Sequence, residues 1–328
     1  MTIVNDILTQ RPGLGRPQRK FLATLWVTIR VLRGRVNFRT RSRYCDDAER
    51  TMARQCREPF DWPAVHQRVL MPVLDPGSAV VSAHDASFIP KSGQQTCGLG
   101  HFFTGWASRA ERGWESSPRA VVDGTRRYAL TLAVAQTPPG GEATQATPED
   151  SRVDFSTQPL RAPRQRLPPR LSSHGVDGYS AKKTYLDEVV SLQRHAMPQL
   201  RSDADWRLLS TGLHPKRRGA RRQDDGQVNF EAVSRCADLG TMDDEPPLPL
   251  DTAVVWHKTR QRRLRLVVVL NRQAPATPRV SVLGSTASDR HGRKLIALYA
   301  SRFQIELLFR DSQQCTGLLD WQARAAAA

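Results

Sequence analysis

Apolar residues recur at three- and four-residue spacing in the first quarter of the chain, and at two-residue or unbroken spacing through much of the rest. Phe21, Leu22, Leu25, Trp26, Ile29 and Leu32 keep the helical interval, with Gly34 where such a helix would stop. A second helix is expected over 47–56, opened by Asp46 with Glu49 three residues later as a capping-box pair. A third is expected over 62–71, with Pro63 in its first turn and Pro72 just beyond its end.

The period changes after Asp75-Pro76-Gly77. Ala79-Val80-Val81-Ser82-Ala83-His84-Asp85 is a short β-branched, mostly apolar run of the kind a central strand needs, and it ends on a carboxylate. The Gly- and aromatic-rich stretch from Gly98 to Gly113 is expected to be a loop. Strands over 117–122 and 127–136 follow, joined at Asp123-Gly124, a strong hairpin signal. Prolines at 138, 139, 148, 159, 163, 168 and 169 predict loop rather than helix over 137–169. A weak strand over 170–176 ends at Asp177-Gly178-Tyr179 and leads into a helix over 181–195, although Arg170-Leu171-Ser172-Ser173-His174-Gly175 is too polar for a central strand. Beyond a short run at 197–201 come β-branched runs over 251–257, 264–271 and 279–284, and one long closing helix over 289–316. These elements predict an α/β protein: a helical region over 1–75, the first part of a mixed-sheet core over 76–205, a β-rich insertion over 206–288, and a last core helix within 289–328.

Composition narrows the partners. The 328 residues, 39% hydrophobic and 25% charged, exclude a collagen-like or wholly disordered chain and suffice for two domains. Lysine plus arginine number 49 against 32 acidic residues, a net charge of +17 that calls for a polyanion. Only seven of those bases are lysine; the arginine fork binds phosphate bidentately, which favours nucleic acid. The basic residues between Arg16 and Arg43 mark the helical region as a DNA-binding module, and Lys216, Arg217, Arg218, Arg221 and Arg222 beside Gly219 read as a phosphate-contacting loop. Five scattered cysteines without C-x-x-C spacing indicate neither a zinc knuckle nor a disulfide framework, which fits a reducing cytoplasm. The run from Phe21 to Leu32 is broken by Thr24, Thr28 and Arg30 and falls short of the ~20 apolar residues a bilayer span needs, and the first residues lack the pattern of a signal peptide, so neither membrane nor export is expected.

The closing helix carries a polar stripe. At ~100° per residue Tyr299, Arg302, Glu306, Arg310 and Gln313 fall on one narrow face, walled by Phe303 and Phe309. A plain exposed ladder of i,i+4 ion pairs, each worth ~0.2–0.5 kcal/mol, would produce the same stripe. Asp85 and Asp177 at strand ends and Glu306 on this helix sit where an α/β sheet gathers ligands. Three carboxylates from separate elements suit phosphodiester chemistry with two Mg²⁺ ions, with Mn²⁺ as a substitute, because hard oxygen ligands hold such cations while leaving positions for water and phosphate. Asp203 is the rival for the second aspartate, and Lys91 is a further phosphate candidate.

The segments D-A-S-F-I-P-K-S-G with G-L-G (85–100), D-G-Y-S-A-K (177–182), L-R-S-D-A (200–204), V-V-W-H-K (254–258), G-R-V-N-F-R-T-R-S-R-Y (34–44) and G-R-K-L-I…Y-A-S-R-F-Q-I-E-L-L-F-R-D (292–311) resemble the DDE transposases, in the cut-and-paste insertion-sequence branch with a β-rich insertion. Tyr299, Arg302 and Glu306 match that family's Y-x2-R-x3-E-x6-K signature, with Gln313 standing at the lysine. The resemblance implies a ribonuclease H-like mixed sheet core with Asp85, Asp177 and Glu306 as its metal-binding catalytic residues, and Tyr299, Arg302 and Arg310 on DNA phosphates. It further implies double-stranded DNA as partner, both transposon inverted-repeat ends and target, a homodimer on that DNA, and a place with the bacterial nucleoid in the cytoplasm. The residues also allow a non-catalytic DNA-binding protein whose carboxylates are not assembled, or a ribonuclease or structure-selective nuclease on the same core.

Overall fold

In the computed structural model the first strand is preceded by helices α1 (Thr2–Thr9), α2 (Arg16–Val31), α3 (Phe38–Arg41), α4 (Glu49–Gln55) and α5 (Trp62–Val73). The structure describes residues 2–9, 14–33, 35–92, 96, 98–139, 171–178, 181–212, 224–230, 235–242, 247–271 and 279–318. Leu8, Phe21, Leu22, Leu25 and Met52 form a core of their own among these helices. Arg41, one of the residues in the basic run, is buried there, with its guanidinium 5.9 Å from the Phe21 ring and 6.0 Å from that of Phe38. The capping box at Asp46 does not form: α4 starts at Glu49 behind Ala48, without a side-chain cap, because burying Met52 sets where the helix lies. Pro72 does not end α5; the Leu74 N–H bonds to Leu70 O at 3.0 Å and carries the last turn past it.

The strands are β1 (Val80–His84), β2 (Ser87–Pro90), β3 (Gly100–Thr104), β4 (Arg109–Asp123), β5 (Tyr128–Gln136), β6 (Ser173–Val176), β7 (His195–Leu200), β8 (Trp206–Leu209), β9 (Asp224–Gln227), β10 (Ala237–Thr241), β11 (Pro249–His257), β12 (Arg262–Asn271) and β13 (Arg279–Ser285), with helices α6 (Lys183–Ser191), α7 (Gly292–Ser301) and α8 (Gln304–Cys315). All thirteen belong to one mixed sheet. One half runs β5-β4-β1-β6-β7, with β1, β6 and β7 parallel and β4 antiparallel to its neighbours. From β7 the sheet continues antiparallel through β13, β12, β11, β8 and β9. The β-rich stretch thus extends the core sheet edge to edge. The fold is mixed α/β, and among the described residues no helix is long and apolar enough to cross a membrane.

Side-chain alternation distributes the sheet between two helical layers. Val81, Ala83, Ala120, Val122, Met197, Val267 and Leu283 pack with Leu295, Leu298 and Ile305 of α7–α8. Val176, Ala196, Leu200, Leu266 and Val282 pack on the other face with Tyr185, Leu186 and Val189 of α6. At the β4–β5 turn Asp123 Oδ1 accepts the Thr125 and Arg126 N–H groups at 3.0 and 2.9 Å, which explains the hairpin at Asp123-Gly124. The 98–113 stretch is not a loop: Gly100–Thr104 pairs with Arg109–Gly113 as a ribbon, burying Phe102 while Phe103 faces solvent. The stretch 170–176 also departs from expectation, since β6 lies between β1 and β7 with every residue buried. Arg290 bonds the Ser173 hydroxyl, so that polar side chain is not left bare. The expected 137–169 loop lies, from 140 on, outside the described residues.

Beneath the strand ends, His84, Arg119 and His174 are buried on the α6 face, His84 stacking on Tyr185 with ring centroids 6.3 Å apart. Burial, aided by the Arg119 charge, pushes His84 from 6.5 down to about 4 and holds His174 well below 6.5. Both are neutral when folded but take a proton when unfolded near pH 6.5. Stability should therefore be complete above that pH and fall as the pH drops toward 4, approaching about 1.4 kcal/mol per pH unit for each histidine. Urea unfolding at pH 8, 7, 6 and 5 checks this; equal stability at pH 7 and 5 contradicts it.

Candidate active site

Asp85 and Asp177 are neighbours by register. The parallel pairing Ser82↔His174, Ala83↔Gly175, His84↔Val176 ends one residue before each aspartate, so the two leave adjacent strands side by side, with strands spaced ~4.8 Å apart. Alternation assigns them a common face. Val81 and Ala83 pack on α7–α8, and an ideal Cβ on Gly175 would lie 3.4 Å from the Arg302 side chain, so Asp85 and Asp177, two residues on, follow toward that helix layer. Both stand at the carboxyl ends of parallel strands, where α/β sheets gather ligands.

The third carboxylate arrives on the helix. The closing helix is not uninterrupted: Arg302, Phe303, Ile305 and Glu306 N–H groups bond three residues back, to Tyr299, Ala300, Arg302 and Phe303 carbonyls at 2.9, 3.2, 3.0 and 3.1 Å. Arg302 and Phe303 keep right-handed dihedrals, so α7 and α8 form one rod with a waist tightened to the 3₁₀ pattern. At this waist Arg302 Nη1 donates to Asp85 Oδ2 at 2.9 Å and Nη2 lies 3.6 Å from Glu306 Oε1. The Arg302 guanidinium carbon lies 5.6 Å from the centre of the Tyr299 ring, and the Tyr299 O–H donates to Gln199 Oε1 at 3.2 Å. Asp85 and Arg302 are mostly buried and Glu306 is half-exposed.

Burial raises the Asp85 carboxyl above its ordinary range, the Arg302 cation opposes this, and the Asp177 charge adds to it. Burial and the Asp85 charge likewise raise Glu306, again against Arg302. Burial works against the Arg302 charge but is outweighed by Tyr299, Asp85 and Glu306, so its pKa rises. The carboxylates are strung from Asp177 through Asp85 to Glu306, with one arginine among them. Their hard oxygens are the donor chemistry that Mg²⁺ or Mn²⁺ takes. Among the described residues, no three His, Cys, Asp or Glu converge tightly enough to ligate one ion. No family model matches the chain, and no curated protein matches it.

The other sequence candidates lie apart. Arg310 is one turn beyond Glu306, exposed and 3.4 Å from Asp311. Lys91 lies six residues past Asp85 along the strand line, ~20 Å on at ~3.3 Å per residue, with its ammonium 5.2 Å from the centre of the Trp114 ring. Asp203 is held by Arg201 at 2.5 Å on the rim of a cavity of about 660 Å³ that Gly178, Gln199 and His257 also line. Lys216, Arg217, Arg218, Arg221 and Arg222 lie outside the described residues. Gly175 and Gln199 escaped the sequence reading. The signal for Gly175 was a glycine inside a strand, which marks a close approach by another group.

Gly175 gives the Arg302 stem its room. Gly175→Ala, meeting ordinary contact distance, should leave stability within ~1 kcal/mol, whereas Gly175→Val should cost about 1–3 kcal/mol by overpacking. The valine variant should also raise the Asp85 pKa further by displacing Arg302. Urea unfolding and carboxyl-carbon NMR titration read both; an unmoved Asp85 titration in Gly175→Val speaks against the opening.

Proposed function

We propose that this chain is a DNA transposase that cuts and joins strands on a ribonuclease H-like core. The observation that carries the reading is the convergence of Asp85 and Asp177, in register on adjacent parallel strands, with the helix that brings Arg302 and Glu306 to them. The antiparallel β1-β4-β5 meander, followed by parallel β6 and β7 with α6 between them in sequence, supports the core assignment. Asp85, Asp177 and Glu306 would hold two Mg²⁺ or Mn²⁺ ions, whose chemistry when bound would be neutralisation of charge on the scissile phosphate and activation of water or a 3′-hydroxyl for in-line attack.

The protein's own residues do the rest. Gln199 holds the Tyr299 hydroxyl and Asp85 orients Arg302, placing a planar cation beside the carboxylates, where a phosphodiester presents its non-bridging oxygens. Arg310, one turn along, extends the cationic track. The net charge of +17 suits double-stranded DNA, both transposon ends and target. A homodimer on paired ends in the bacterial cytoplasm, at the nucleoid, completes the reading.

The test is cleavage of duplex DNA bearing the element's inverted repeats. Wild type should nick it in Mg²⁺, and Asp85→Asn, Asp177→Asn and Glu306→Gln should each lose at least ~1000-fold in rate while duplex affinity stays within a few-fold. Binding without cutting in Mg²⁺ or Mn²⁺ makes the chain a DNA-binding protein, and cutting of hybrids or branched DNA without end preference makes it a different nuclease. Arg302 competes with any cation for Asp85 and Glu306. Without DNA, Arg302→Gln should bind Mn²⁺ about 10-fold more tightly by electron paramagnetic resonance, a gain of about 1.4 kcal/mol, while losing duplex affinity. Weaker Mn²⁺ binding in the variant would show that Arg302 supports the site rather than filling it.

A further inference from the structure

Beyond Asp85 the chain stays on β4. The pairing keeps one register from Val80↔Asp123 through His84↔Arg119 to Pro90↔Gly113, so β1 and β2 form a single line along β4. β2 ends at Gly113, where β3 takes over on the opposite edge, from Gly100↔Gly113 to Thr104↔Arg109. A two-stranded ribbon therefore projects past the carboxyl end of β1. From the level of Asp85 to Arg109 is nine residues along β4, or ~30 Å at ~3.3 Å per residue. An added Cβ at Gly113 would lie 2.3 Å from Ile89 O, so only glycine fits where the ribbon leaves the sheet.

The ribbon tip carries Trp106 and Phe103, 78% and 63% exposed, the two most exposed large hydrophobic residues among those described. Two aromatics at the end of a projecting ribbon mark a contact surface. The cations Lys91, Arg109 and Arg112 accompany them; of the acidic residues, Glu111 is paired with Arg109 at 2.9 Å and Glu115 is buried, accepting from the Thr137 hydroxyl at 2.9 Å. Aromatic side chains beside cations match duplex DNA, whose groove edges, thymine methyls and sugars offer apolar contact between phosphates. A two-stranded ribbon fits the major groove, and ~30 Å is nearly one turn of duplex, ~34–36 Å.

We propose that the β3–β4 ribbon is a DNA arm lying along the duplex held at the carboxylates, with Phe103 and Trp106 touching it close to one helical turn from the scissile phosphate. The inference rests on the reading of the carboxylates as the DNA-cutting site. It is tested with the full chain on a 60-base-pair inverted-repeat duplex. Phe103→Ala/Trp106→Ala should weaken binding ~10- to 100-fold and shorten the nuclease footprint by about one turn on one side, with the unfolding midpoint unchanged because both side chains are exposed. Trp106→p-benzoylphenylalanine should photo-crosslink about 8–11 base pairs from the cut. Full affinity with an unshortened footprint overturns the arm, whether or not the chain cuts. So does loss of self-association with the footprint intact, which would assign the tip to a second copy of the chain. A footprint that shortens although the chain never cuts in Mg²⁺ or Mn²⁺ upholds the arm and removes the catalytic reading.

Discussion

The Arg302 ion pairs decide how the protein is put together around its strand ends. Asp85, Asp177 and Glu306 repel one another, and burial raises the cost of charge on Asp85 and Glu306. A single guanidinium, 2.9 Å from one carboxylate and 3.6 Å from another, offsets that repulsion and ties the last helix to β1. Its stem crosses β6 where Gly175 has no side chain, so a missing Cβ in one strand and a cation on a distant helix are parts of one contact. Helical spacing serves the same contact: four residues along an α-helix set Arg302 and Glu306 only ~40° apart around its axis, on one face, and the 3₁₀ waist lies at that point of the chain.

Burial keeps the two histidines at the polar centre of the sheet neutral. β6 carries Ser173 and His174 between two apolar neighbours, and Arg119 lies across from His84. Burial is the main reason the histidine pKa values are depressed, and the Arg119 charge, a like charge to a protonated imidazole, lowers them further. The Asp85–Arg302 pair lies on the opposite face of the sheet, while the charge of Asp177, just past β6, acts on His84 and on Asp85 alike.

Local signals in the sequence were legible where one interaction fixes one element. The run at 79–85 became β1 because alternation leaves it no other environment, and Asp123-Gly124 became a turn because the aspartate side chain reaches two backbone donors. The placement of Asp85 at a strand end was legible for the same reason. What could not be read depends on partners far away in sequence. Glycines and aromatics between 98 and 113 look like a loop until β4 is seen to run through to Arg109; Pro72 looks like a stop until Leu74 closes the turn; and the polarity of β6 argues against a central strand until Arg290 and the two flanking strands are in place. The stripe on the last helix was visible, but its waist was not, since nothing in the spacing of Tyr299, Arg302 and Glu306 reveals the change of bonding pattern between them.

The extension of the sheet beyond β7 bears on the position of Glu306 through the opposite end of the same rod. An added Cβ on Gly292, the first residue of α7, would lie 2.5 Å from a Leu239 methyl and 3.3 Å from Val267, so the helix starts pressed against β10 and β12. Arg293 then donates to the Leu239 and Thr241 carbonyls at 2.8 and 3.0 Å. The rod is thus held at its beginning by the β-rich stretch and at its waist by Asp85, with Leu295, Leu298 and Ile305 packed between. The β-rich stretch therefore helps position Glu306 without placing a carboxylate beside it: it holds the start of the helix pair that carries Glu306 toward Asp85.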